Sequence, residues 1–173
     1  MPGGGISAQK FFKCLTTQLL SRSDVDGGVA VTNFTDDSMS DLQKTVAVVV
    51  DDPEMRASLA TLLNAVGYRA ETYDSAETFL ICASTCKACC LVIDINLGDI
   101  TGVELAHQLC ADGLKWPIIF MSGLDDIAIT SQSSAVKPIA FLHKPFRASD
   151  LIHAIKKAIQ WVLARHVRAV VRR

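Results

Sequence analysis

Four short apolar runs in this chain each stop abruptly at a residue capable of chemistry, and that recurrence narrows the folds open to it. Leu91-Val92-Ile93 leads into Asp94, with Ile95 and Asn96 just beyond. Val46-Ala47-Val48-Val49-Val50 runs into Asp51 and Asp52, and Pro117-Ile118-Ile119-Phe120-Met121 into Ser122. Ile139-Ala140-Phe141-Leu142-His143 delivers Lys144. Unbroken apolar runs of this length read as strands covered on both faces, which is the habit of parallel sheets. Right-handed crossovers place the ends of such strands along one edge, where open α/β sheets bind their ligands. The expected cleft therefore gathers three carboxylates, a hydroxyl and an ammonium.

Helical patterns fill the gaps between these runs. Pro53 suits a first helical turn, and Met55, Leu59, Leu62, Leu63 and Val66 repeat at helical spacing up to Gly67, a natural C-cap. Tyr68 to Tyr73 alternates as a more polar strand, and Asp74 with Glu77 resembles a capping box for a helix from Ser75 to about Cys82. Val103, Leu105, Ala106 and Leu109 predict a third helix ending near Asp112-Gly113. A weak fourth helix is expected over Ile127 to Ala135, where Ser and Thr are poor formers. Ser149 or Ala148 caps a last helix striped by Leu151, Ile152, Ile155, Ile159 and Val162, and continuing toward Val170. From Asp150 to Arg173 that helix would reach about 36 Å, more than one face of so small a sheet needs. Five strands alternating with five helices give a doubly wound α/β sandwich.

Of the 173 residues, half are apolar and the net charge is −1, so a core is available and bulk charge argues for neither nucleic acid nor membrane. Arg165, Arg168, Arg172 and Arg173 crowd the end, but they read as a solvated helix face, and direct sequence-specific DNA binding is not expected. No apolar run approaches the ~20 residues of a membrane span, and the first residues lack a signal peptide's apolar stretch, so the cytoplasm is expected. Residues 1–43 are expected to be a disordered extension, with a short amphipathic helix around Phe11 to Leu20. Met39-Ser40-Asp41, directly before the first strand, looks like a second natural start. Six cysteines, Cys14, Cys82, Cys86, Cys89, Cys90 and Cys110, are expected as thiols. Cys86 and Cys89 form a C-x-x-C without a second pair, so packing thiols are favoured over zinc or redox chemistry. His107, His143, His153 and His166 receive no metal role.

From about Lys44 to about Val162 the sequence resembles the receiver domain of bacterial two-component response regulators. That family carries an acid pair after its first strand, an aspartate after the third, Ser or Thr after the fourth and Lys-Pro after the fifth. Here those are Asp51 and Asp52, Asp94, Ser122, and Lys144-Pro145. Gly102 follows Asp94 at the family's interval, and Phe141 takes its aromatic position before Lys144. The resemblance implies a flavodoxin-like sheet in the order 2-1-3-4-5, a receiver over 44–163 and a basic continuation of the last helix over 164–173. It implies that Asp94 accepts a phosphoryl group from a histidine kinase or a histidine phosphotransfer protein. Mg2+ would be held by Asp52 and Asp94, by Asp51 through water, and by the backbone carbonyl of Asn96. Lys144 would neutralise the phosphoryl group, while Ser122 and Phe141 switch the surface that meets a downstream protein or, on phosphorylation, a second copy. Asn96 and Leu124 lie where the acyl phosphate's lifetime is tuned.

Three departures from the pattern stand out: Gly98 where many receivers have proline, Val136-Lys137-Pro138 before the last strand, and Pro53 directly after the acids. None removes a reacting group. A receiver acting alone ranks first, a receiver fragment of a transcription factor lacking its DNA-binding domain second. An aspartyl-phosphate hydrolase ranks third, because Asn96 stands where those enzymes place a general acid, and the chain is not expected to be an enzyme.

Overall fold

The computed structural model describes residues 45–123 and 136–171, with side chains of the last helix described up to residue 165. Strands β1 (Thr45–Val49), β2 (Arg69–Tyr73), β3 (Cys90–Asp94), β4 (Ile118–Ser122) and β5 (Ala140–His143) form one parallel sheet in the order β2-β1-β3-β4-β5. The described helices are α1 (Pro53–Ala65), α2 (Ala76–Cys82), α3 (Gly102–Ala111) and α4 (Ala148–Val171). The extension over 1–43, the second start at Met39, the helix over Ile127–Ala135, Leu124 and the side chains of Arg168, Val170, Arg172 and Arg173 lie outside the described residues.

Alternation along the strands divides the core in two. Ala47, Val49, Leu91, Ile93, Ile118 and Phe120 pack with α2 and α3 on one face. Val46, Val48, Val50, Val92, Ile119 and Met121 pack with α1 and α4 on the other. Both faces of β1, β3 and β4 are buried, which is why those segments read as continuous apolar runs. β2 is half exposed at the sheet's edge, which is why it alternates.

The helix boundaries show where local chemistry overrode the expected caps. Ser75, not Asp74, caps α2: its hydroxyl accepts from the Thr78 N–H at 3.1 Å, while Asp74 takes the Thr78 hydroxyl at 2.8 Å. Gly67 lies one residue past the α1 cap Val66, in the left-handed region at φ +87°. α4 already has Ala148 as its first helical residue, and Asp150 returns its carboxylate to the Arg147 N–H at 3.3 Å. Its buried seam is Leu151, Ala154, Ile155 and Ala158, so the two alanines belong where Ile152 and Ile159, both half-buried, were expected. Past Ala158 none of its described side chains is fully buried, although the helix continues to Val171.

The C-x-x-C stretch straddles the sheet. Cys86 packs with the α2/α3 face, and Cys89 and Cys90 with the α1/α4 face. Cys82, Cys86, Cys89, Cys90 and Cys110 are all free thiols. No helix among the described residues is long and apolar enough to cross a membrane.

Candidate phosphoryl-acceptor site

Asp94 is the last residue of β3, the central strand, and only 2 % of its surface reaches solvent. Its Oδ2 accepts from the Lys144 ammonium, and its Oδ1 from the Asn96 N–H at 3.2 Å. Burial pushes the Asp94 carboxyl above its ordinary pKa, more than Lys144 and the Asn96 N–H pull it down, and the charge of Asp51 pushes it further up. The result is a carboxylate held in the interior by one cation, with its charge under tension.

Gly102 makes that placement possible. A Cβ at this position would sit 2.1 Å from the Asp94 carbonyl oxygen and 2.8 Å from Ile93 Cγ2. Only glycine lets the first turn of α3 press against the end of β3. The Gly102 N–H also donates to the Ile95 carbonyl at 2.8 Å, closing the loop that carries Asn96. Thr101 and Glu104 then form a full capping box, with the Glu104 carboxylate 2.8 Å from the Thr101 N–H.

Lys144 reaches Asp94 from directly beyond β5, and its own N–H is tied to the Ser122 carbonyl at 2.8 Å. Ser122, at the end of β4, is buried and lies 3.0 Å from Nδ1 of His143, its register partner on β5. Sequence reasoning left His143 without a role, because the pairing exists only once β4 and β5 are in register. Phe141 is half-buried and stacked on Phe120, with ring centroids 5.6 Å apart.

The acids after β1 part company. Both are exposed, but Asp52 is the N-cap of α1: its Oδ1 accepts from the Glu54 and Met55 N–H groups at 2.8 and 3.0 Å. These backbone donors, Met55 first, hold its carboxyl below the ordinary range, with smaller help from the charges of Lys144 and Arg56. Asp51 is the acid whose charge is felt at Asp94. Arg56, also unnoticed in the sequence, clamps the turn through the carbonyls of Val50 (2.7 Å) and Asp51 (3.1 Å).

Among the described residues no group of three His, Cys, Asp or Glu side chains is arranged to hold a metal ion. The carboxylates of Asp51, Asp52 and Asp94 at this edge are hard and like-charged oxygen donors, so a divalent cation suits their chemistry.

Comparison with known proteins agrees with this geometry. The family model described as response regulator receiver domain matches residues 46–156. The chain is similar to the transcriptional regulatory protein TdiR of Thauera aromatica, 36% identical over 66% of this chain and 51% of that protein. It is also similar to the response regulator protein TmoT of Ectopseudomonas mendocina, 31% identical over 70% of this chain and 56% of that protein. The crystal structure titled FixJ-N superposes with a TM-score of 0.63 at 32% identity, covering 67% of this chain and 93% of that one. The chain spans about half the length of the curated relatives it matches.

Proposed function

This chain belongs to the response regulator receiver domain family, and from that premise we propose that Asp94 accepts a phosphoryl group from a phosphohistidine of a kinase or phosphotransfer protein. The observation that carries the assignment is the buried carboxylate at the end of β3, ion-paired with Lys144. An Asp94 oxygen forms the new bond to phosphorus as the bond to the histidine nitrogen breaks, leaving an acyl phosphate on Asp94. Lys144 is positioned to follow the charge from the carboxylate onto the phosphoryl oxygens. Asp52 and Asp94, Asp51 through water, and the Asn96 carbonyl are the groups that would hold Mg2+, which when bound masks the acids' charge and neutralises the transferred oxygens.

Ser122 acts next. Its hydroxyl has one hydrogen to donate and can accept from His143, so donating to a phosphoryl oxygen redirects it within the β4–β5 end. That shift is passed to the half-buried Phe141 and to the surface read by a downstream protein or a second copy of the domain. The domain occupies 44–163 and works in the cytoplasm, as a signalling module that assists only its own phosphorylation. A second reading is control of transcription through a segment outside this chain, in keeping with the name of one relative, the transcriptional regulatory protein TdiR.

Incubating the wild type and Asp94→Asn with acetyl phosphate and magnesium tests the assignment. Intact-mass analysis should show one phosphoryl group on the wild type and none on the variant. Equal labelling of both at an acyl phosphate would reject Asp94.

A further inference from the structure

We infer that the edge of the sheet opposite Asp94 carries a second binding site, one that takes a small, single-ring aromatic anion. The site is a cavity of about 270 Å3 where the end of α3, the loop into β4, the stretch before β5 and the later turns of α4 meet. Ile118, which lines it, is the first residue of β4, and Ser122 is the last, so the cavity lies about 13 Å along the strand from the reacting edge. Phosphoryl transfer makes no use of it, and the inference stands apart from the receiver assignment.

Two indoles and three cations give the cavity its chemistry. The Trp116 Nε1 donates to the Ala88 carbonyl at 3.0 Å and its ring meets Phe79 edge-on, with centroids 5.9 Å apart, so this flat wall is held in place. The Trp161 ring on α4 is 37 % exposed, and the Arg165 guanidinium lies 4.9 Å from its centre. Lys115 and Lys137 join Arg165 in the lining, no acid does, and among the described residues none of the three is ion-paired with a carboxylate. Like charges around one hollow repel one another and gain from an anion set among them. Indole faces favour an aromatic ring, so an inorganic anion would leave them uncovered and a neutral ring would leave the cations unpaired. The volume falls just short of the usual range for drug-sized ligands, which limits the occupant to one ring and its acid group. Trp161 and Arg165 lie beyond Ala158, where no described side chain of α4 is fully buried, so an occupant would tie that part of the helix to the start of β4.

Trp116 and Trp161 are the chain's two tryptophans, so intrinsic emission of the full chain reports occupancy directly. The protein is titrated with benzoate, and separately with benzamide and acetate, at constant ionic strength. Benzoate should shift the emission saturably with a Kd of about 1 mM or tighter. Benzamide, which has the ring without the charge, and acetate, which has the charge without the ring, should bind about tenfold more weakly. Arg165→Gln and Lys137→Gln change exposed residues, and each should weaken benzoate about fivefold with Tm unchanged. Asp94→Asn should bind benzoate as the wild type does, so failure of this site and failure of the phosphoryl assignment show separately. Benzamide binding as tightly as benzoate, or benzoate binding undiminished in both cation variants, would overturn the inference. So would a wild type whose emission does not respond to benzoate.

Discussion

Asp94 and Asp52 stand on the same edge of one sheet, yet the chain handles their charges in opposite ways. Asp94, at the end of β3, is buried, and its carboxyl is pushed up by that burial despite Lys144. Asp52, at the start of α1, is in water, and its carboxyl is pulled down by the N–H groups of Met55 and Glu54. The first arrangement costs stability, because the charged form is held away from water. The second gains stability by satisfying donors that a helix end always leaves over. A raised carboxyl at one place on this edge and a lowered one at the other thus follow from burial in the first case and backbone donors in the second.

The strongest test of that contrast is Asp94→Asn. Phosphorylation should disappear, while Tm at neutral pH should rise, because a buried charge has been replaced by a neutral group of the same shape. Asp94 binds its proton more tightly folded than unfolded, so its ionisation costs stability as pH rises from the ordinary value of 3.8 through the higher folded value. The gain from Asp94→Asn should therefore shrink as pH falls through the folded value and be gone below about 3.8. A Tm below wild type at neutral pH would show that the Lys144 pair outweighs burial.

Next in size is Gly102→Ala. Its Cβ would meet backbone, which cannot rotate away, so α3 or the end of β3 must shift. We expect a loss of about 3 kcal/mol in urea unfolding and reduced phosphorylation from a displaced Asp94. Lys144→Ala comes third: Mg2+ binding should persist, the Asp94 carboxyl should move further up in a carbon-detected titration, and phosphate-induced amide shifts beyond Ser122 should fade. Unchanged shifts would detach Lys144 from the response.

The smallest effect is the mirror of the first. Asp52→Ala should lower Tm by a few degrees at neutral pH, because a depressed carboxyl contributes stability above its ordinary value of 3.8 and loses it as pH falls through the lower folded value. Tm differences for the two aspartate variants should thus have opposite signs at pH 7 and converge toward zero in acid. Two differences of the same sign would undo the comparison.

Much of this was legible before any coordinates. Apolar runs ending in Asp94, Ser122 and Lys144 specify a buried parallel sheet, and the matching strand ends follow from its handedness. The capping role of Asp52 was legible too, but overlooked: Asp followed by Pro before a helical pattern is an N-cap signal. Ala154 and Ala158 were passed over because a stripe is sought among large side chains, although close packing of α4 on the sheet needs small ones. The Ser122–His143 contact and the Arg56 clamp depend on strand register and on the path of one turn, and no periodicity encodes those.

The arrangement of Cys86 and Cys89 on opposite faces of the sheet has a consequence for the cell's chemistry. A thiophilic ion or an oxidant arriving there would find two buried sulfurs packed into separate halves of the core, not a chelating pair. Joining them would require pulling at least one sulfur out of the half of the core in which it is packed. Whatever the thiol balance around the protein, these two sulfurs meet it one at a time for as long as the sheet is whole.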